Sequence, residues 1–211
     1  MPDINCPLCK SKGHIFFSYE KHRFLSCDQC QGIFRDPGQI LNFEEEKSRY
    51  LLHQNHLEDK GYLKFVSPLL QAVQREHPSG AVGLDFGCGH TPVISEVLKG
   101  QDYIFDIYDP VFYPQRVFEG KTYDFITCCE VMEHFQHPKK EFDLLAGLLK
   151  SDGNLICMTS LYSEEIDFEN WYYKNDPTHV FFYRKETLTY IMRNWGFRRL
   201  KIEESLLVFL K

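Results

Sequence analysis

The chain has 211 residues, is 43% hydrophobic, and carries a formal net charge of −6 with eight cysteines. It suits one domain of ordinary size plus a small appendage, has no general attraction for nucleic acid, and contains no run long or apolar enough to span a bilayer. Residues 1–12 are too polar for a signal peptide, so a cytoplasmic protein with no membrane partner is expected.

Four of the cysteines form two Cys-x-x-Cys pairs, CPLC at 6–9 and CDQC at 27–30, with seventeen residues between them. Two close cysteines on a turn present two thiolates to one point, and two such turns close a tetrahedron, which suits zinc. Cys6, Cys9, Cys27 and Cys30 are the expected ligands of a structural Zn2+, with iron or an accidental pairing of the motifs as the alternatives. Four thiolates fill the shell and leave no open position for catalysis. HIFFSY and HRFLS, between the pairs, can form a short hairpin, so residues 1–38 resemble a zinc ribbon. A module below about 40 residues rarely folds without such a staple. Five basic residues against four acidic ones in residues 1–40 are no nucleic-acid signature. The other cysteines, Cys88, Cys128, Cys129 and Cys157, lie in runs that read as buried strands or strand ends, and are expected as free thiols.

Residues 39–79 read as a helical leader. Asn42 with Glu45 forms a capping-box pattern, which predicts a helix from Phe43 to about Leu57. Gly61 is expected to break it, and Ser67-Pro68 to open a second helix through Glu76. From residue 80 onward strands and helices alternate. Strands are predicted at 81–86, 103–108, 123–129 and 154–159, and helices at 92–99, 138–150 and 186–195. Such alternation argues for an α/β core over 80–211, a doubly wound parallel sheet. Two adjacent strands at 198–204 and 206–210 have almost no connection, so they must be antiparallel.

Residues 84–92, LDFGCGHTP, follow the first core strand, where such sheets bind ligands. The dinucleotide fingerprint wants a third glycine at Pro92, and Asp85 is a poor neighbour for a pyrophosphate. A carboxylate there suits a ligand bearing an ammonium and a sulfonium. Gly87 and Gly89 permit positive φ and close backbone approach. Thr91 is expected to cap the next helix, with Pro92 at its first position. The second strand ends at Asp109, placed to take ribose hydroxyls. Asp106 lies on the opposite strand face, earlier in the strand.

D-x-G-x-G at 85–89, Asp109, CCEVMEHFQHP at 128–138, NLICMTS after a glycine turn and the terminal hairpin together resemble class I S-adenosylmethionine-dependent methyltransferases. WYYKNDPTHVFFYRKETL resembles one bacterial branch, in which the core can carry an N-terminal zinc ribbon. The resemblance covers roughly residues 40–211. It implies a Rossmann-like methyltransferase sheet ending in an antiparallel hairpin, with S-adenosylmethionine as cofactor. It implies cofactor contacts from Asp85, Phe86, Gly87, Cys88, Gly89, Asp109, Pro110 and Glu130, with Glu130 to His134 lining the cofactor and acceptor side. Thr91 stands where the family has a third glycine. The stretch between Asp109 and Asp124 is short, with room for a short strand near 115–119; Phe112 or Tyr113 is placed to pack on an adenine ring. On the leader, Tyr50, His53 and Asn55 are placed to close over the cofactor, with a solvated helix face as the alternative.

The implied reaction is in-line displacement at a sulfonium methyl, for which the protein supplies alignment, dehydration and, for some acceptors, a base. Candidate catalytic residues are His134, His179 and Glu130. The alternatives are loop-bonding histidines and acids, Glu130 and Glu133, at a helix N-terminus. The aromatic run of Trp171, Tyr172, Tyr173, Phe181, Phe182 and Tyr183 reads as an acceptor pocket, or as a lid or dimer contact. The leading expectation is methyl transfer to an oxygen or nitrogen of a small-molecule acceptor. The competitors are an RNA methyltransferase gripping its substrate through the ribbon, a non-catalytic S-adenosylmethionine-binding module, and, more distantly, a nicotinamide-dependent reductase.

Overall fold

The computed structural model of the chain describes residues 4–51 and 56–211. Near the N-terminus, strands β1 (Gly13–Tyr19) and β2 (His22–Cys27) form the predicted hairpin, and β3 (Ile33–Arg35) pairs antiparallel with β2. A 3-10 turn at Pro37–Gln39 follows, capped by the Asp36 carboxylate on the Gly38 N–H. Helix α1 (Phe43–Tyr50) starts at the predicted capping box: Asn42 accepts from the N–H groups of Glu44 and Glu45, and Glu45 accepts from that of Asn42. It is shorter than predicted, and His53 and Asn55 lie outside the described residues.

Helix α2 (Lys60–Glu76) corrects the sequence reading. Gly61 opens the helix instead of breaking one, because the Asp59 carboxylate caps the N–H groups of Gly61 and Tyr62. Pro68 stands inside the helix, at a cost of about 3 kcal/mol. Val66, Leu69, Leu70 and Val73 share one stripe and are buried. Each contributes roughly 1.5–3 kcal/mol, so their sum outweighs the proline.

The core sheet is built from β4 (Val82–Phe86), β5 (Ile104–Tyr108), β6 (Tyr123–Cys129) and β7 (Leu149–Met158), all parallel. Between them lie α3 (Val93–Lys99) and α4 (Pro138–Leu148). After β8 (Phe181–Phe182) and α5 (Lys185–Asn194) come β9 (Arg199–Glu203) and β10 (Leu206–Leu210), which form the predicted antiparallel hairpin. The spatial order is β5-β4-β6-β7-β10-β9, with β10 antiparallel to β7. No strand forms at 115–119, where the chain makes turns instead. Among the described residues, no helix is long and apolar enough to cross a membrane.

Alternation along the strands sorts the core into two layers. Phe125, Ile156, Met158 and Val208 face α2 and α3. Ile126, Cys128, Leu155, Cys157, Leu207 and Phe209 face α4 and α5. The N-terminal strands are welded to the second layer. Strand β3 pairs with β8, so the small sheet runs β1-β2-β3-β8 and takes its last strand from the far end of the chain. Cys6, Leu8, Leu25 and Phe34 share a buried cluster with Phe181, Tyr183 and Leu188. The aromatic run is part of this junction: Trp171, Tyr173 and Phe182 pack with Phe24 and Ile33 beneath Phe16 and Phe17. Tyr172 alone of that run is strongly exposed.

Candidate active site

A cleft of about 610 Å³ opens at the carboxyl ends of β4, β5 and β6. One wall is the loop after β4. Gly87 has φ +79°, and a Cβ there would stand 2.4 Å from Val131 Cγ2, so only glycine fits. Gly89 has φ +69° with open space around it, a backbone surface free for close approach by a ligand. The loop is tied to β5: the N–H groups of Gly87 and Cys88 donate to the Tyr108 carbonyl, at 2.8 and 3.2 Å. Asp109 fixes it from the next strand end. Its Oδ2 accepts from the Gly89 N–H at 3.0 Å, and its Oδ1 from Val111 and Phe112 at 2.8 and 3.0 Å. A carboxylate offers about four acceptor sites, so about one remains for a ligand hydroxyl.

Several sequence expectations shift here. Asp85 lies beneath the loop, 2% exposed, accepting from Thr127 Oγ1 at 2.9 Å, and is not part of the cleft wall. Burial pushes its carboxyl up to about 6. Pro92 is the N-cap of α3, not its first residue, and Thr91 makes no side-chain cap. Asp106 is engaged away from the cleft by Lys121 and Tyr123, at 2.7 Å each. Phe112 lines the cleft, whereas the Tyr113 hydroxyl donates to the His90 carbonyl. Cys128 and Cys157 are buried, but Cys88 and Cys129 border the cleft.

The opposite wall comes from the segment after β6. Glu130 sits at φ +51°, a strained conformation for a non-glycine residue, which turns the chain out of the strand. A 3-10 turn at Met132–His134 follows. Glu130, His134 and His179 all line the cleft, so the three candidate catalytic residues converge although 45 residues separate the two histidines. Glu133, in the first turn of that 3-10 segment, is fully buried: its Oε2 accepts from Thr159 Oγ1 at 3.1 Å and its Oε1 from the Tyr173 hydroxyl. Burial pushes Glu130 up to about 8, with repulsion from Glu133 adding to it, and burial pushes Glu133 up to about 7. Two carboxyls in so dry a place hold a proton between them near neutrality. Burial has the opposite sign on an imidazole and pushes His179 down to about 4.

Both histidines are oriented by backbone. His134 Nδ1 donates to the Thr178 carbonyl at 3.0 Å, and His179 Nδ1 to the Tyr173 carbonyl at 2.7 Å. A carbonyl only accepts, so Nδ1 carries a proton on each ring. The loop bearing His179 is clamped by Arg35 of β3, whose guanidinium donates to the carbonyls of Lys174, Asp176 and His179 at 3.0, 3.1 and 3.2 Å. Helix α1 covers this side: Tyr50 packs edge-on to His134, and Arg49 lies 3.9 Å from Asp176. Glu46, Tyr62 and Phe65 also line the cleft. Only their place on the leader signals this in the sequence.

The four N-terminal cysteines converge with all sulfurs within 4.8 Å of one another; Cys6 and Cys30 are 3.5 Å apart, and Cys9 and Cys27 are 3.3 Å apart. The two turns are alike. In each, the residue after the second cysteine is left-handed (Lys10 at φ +67°, Gln31 at φ +60°) and its N–H donates to the carbonyl of the first cysteine. A tetrahedral Zn2+ with sulfurs at about 2.3 Å has edges near 3.8 Å, so the donor set and its spacing fit zinc.

Parallel strands with helices on both faces, a reversed final hairpin and a glycine loop at the strand ends define the Rossmann-like methyltransferase fold. The family described as "Methyltransferase domain" matches residues 52–202, and the chain belongs to it. No curated protein sequence matches the chain significantly. Among solved structures it is similar to an O-methyltransferase family protein from Burkholderia thailandensis, with TM-score 0.54, 13% identity, 78% of this chain and 61% of that one. It is similar to magnesium protoporphyrin IX methyltransferase from Synechocystis PCC 6803, with bound SAH, with TM-score 0.51, 14% identity, 80% of this chain and 94% of that one. A methyltransferase in calicheamicin biosynthesis, also SAH-bound, matches with TM-score 0.52 and 12% identity, over 80% of this chain and 57% of that one. The chain thus spans less than two thirds of the first and third of these proteins.

Proposed function

We propose that the protein is an S-adenosylmethionine-dependent methyltransferase acting on an oxygen or nitrogen of a small-molecule acceptor. The observation that carries this reading is one cleft with two unlike walls. One wall is a glycine loop latched by Asp109; the other holds Glu130, His134 and His179. The SAH-bound relatives of the same fold support it.

In this reading Gly87, Cys88 and Gly89 take the amino-acid end of the ligand on backbone. Asp109 takes a ribose hydroxyl, and taking both requires its bond to the Gly89 N–H to open. Phe112 packs on the adenine. S-adenosylmethionine supplies a methyl already activated on a sulfonium. The chain's own work is alignment, exclusion of water and removal of the acceptor proton. Glu130, His134 and His179 are placed to orient the acceptor and receive that proton. Asp85, out of direct reach, ties β4 to β6 through Thr127 beneath the loop. Residues 1–38 are a zinc ribbon that is structural, 39–79 a leader that covers the cleft, and 80–211 the catalytic core. Calorimetry with S-adenosylhomocysteine tests the ligand assignment. Asp109→Ala should weaken binding at least tenfold, and unchanged affinity in a folded variant would remove Asp109 from the site.

A further inference from the structure

One part of the cleft belongs neither to the glycine loop nor to the acceptor wall. It is lined by Phe86, Tyr108, Phe135 and Glu141. The rings pack together, with the Phe86 centroid 5.1 Å from that of Tyr108 and 6.3 Å from that of Phe135. Tyr108 ends β5, one residue before Asp109. Glu141 comes from the first turn of α4. The Tyr108 hydroxyl feels the charges of both Asp109 and Glu141, so the two carboxylates lie near one ring.

Among the described residues four carboxylates line the cleft, and three of them are engaged. Asp109 accepts from three backbone N–H groups, Glu46 from Tyr50 and Gln136, and Glu130 from Tyr173. Glu141 differs. Its Oε2 is shut off from water and has no hydrogen-bond partner among the described residues. Burial raises its pKa, against its own backbone N–H and the charge of Lys140. An acid in a first helical turn ordinarily serves the helix dipole from water. A shielded oxygen without a partner instead costs stability, so the fold alone gives no reason to keep it. The short stretch after Asp109 offers no substitute: its one acid, Glu119, is exposed and paired with Arg116.

We infer that Glu141 of α4 reads the base of the cofactor, accepting a hydrogen bond from the six-amino group of adenine, and so makes the cleft selective for adenosyl over other nucleosyl ligands. The inference rests on the methyltransferase reading for the identity of the ligand. With the ribose on Asp109 and one face of the base on Phe112, the amino edge of adenine is left to be read, and Glu141 is the lining carboxylate with an oxygen still unpaired. The last torsion of a glutamate is broad, so the carboxyl can turn an oxygen to the cleft without moving α4. Hypoxanthine carries a carbonyl oxygen where adenine carries the amino group. Two acceptors would then face each other, and a site built on a hydrogen bond rejects an analogue that cannot make it.

Calorimetry of the full, zinc-loaded chain with S-adenosylhomocysteine and with S-inosylhomocysteine tests this and needs no acceptor. The unaltered protein should bind the adenosyl ligand roughly tenfold or more tightly than the inosyl one. Glu141→Leu should lose roughly tenfold or more of its adenosyl affinity and most of that preference. It should melt no lower than the parent, because it removes a shielded oxygen that had no partner. Glu141→Gln keeps an acceptor for the amino group and adds a donor for a carbonyl. It should hold the adenosyl ligand nearly as well as the parent and bind the inosyl ligand more tightly than the parent does. Equal binding of the two ligands by the unaltered protein overturns the inference and leaves the methyltransferase reading standing, as does undiminished adenosyl affinity in the leucine variant. If the leucine variant does not fold, the glutamine variant decides alone, and an unchanged ratio of the two affinities overturns the inference. An unaltered, folded protein that binds neither ligand removes the methyltransferase reading and this inference with it.

Discussion

Replacing Arg35 by methionine should loosen the acceptor wall from a distance. Arg35 is 3% exposed and reaches from β3 into the loop that carries His179. Its three bonds to the carbonyls of Lys174, Asp176 and His179 have a charged donor, worth about 1.5–3 kcal/mol each. Against this stands the cost of burying a guanidinium, whose nearest opposite charge in the loop, Asp176, lies within its field; burial holds the Arg35 pKa below its usual value. Methionine keeps much of the aliphatic packing but neither the bonds nor the contact of the charge over the Phe24 ring at 4.9 Å. The net loss is about 3 kcal/mol, or roughly 6–12 °C in Tm for a chain of this size. Thermal melting reads the global effect, and hydrogen exchange at 174–180 reads the local one, which should rise most. Arg35→Lys keeps charge without the fork and should recover only part. A methionine variant melting within 2 °C of the parent, with unchanged exchange in that segment, would refute the clamp.

Two further predictions follow from the cysteines and from Asp85. The double change Cys6→Ser, Cys9→Ser should abolish zinc binding at the ribbon and lower the melting temperature of the whole chain, because these residues share the core cluster of α5 and β8; a ribbon still holding one zinc would show the ligands to be misassigned. Asp85 is raised from 3.8 to about 6, so the folded state binds its proton more tightly than the unfolded state does. Its penalty is absent below about pH 4, grows as pH rises to 6, and then levels at a value on the order of 3 kcal/mol. Asp85→Asn keeps an acceptor for Thr127, so it should match the parent at pH 4 and melt higher at pH 7.5; equal melting at both values would contradict the burial argument.

The parallel strands and the reversed hairpin were legible because alternation and apolar runs encode them locally. The capping box at Asn42 was legible for the same reason. Gly61 and Pro68 misled, because a turn residue reads as a stop until the Asp59 cap and the buried stripe of α2 are seen. His134 and His179 could each be placed just beyond a strand end, but their convergence with Glu130 was not legible, since nothing local links the two segments. The partners of Glu133 and the clamp from Arg35 were invisible, because Arg35 and the carbonyls it binds are about 140 residues apart. The aromatic run illustrates the same limit. Its composition suggested a pocket or a dimer contact, and its partner turned out to be the N-terminal sheet of the same chain.

The central claim is that the cleft at the strand ends takes the adenosyl cofactor. Calorimetry of the zinc-loaded protein against S-adenosylhomocysteine and, separately, NADH tests it directly. The account predicts one S-adenosylhomocysteine per chain and no binding of NADH. A folded, zinc-containing protein that fails to bind S-adenosylhomocysteine would contradict it.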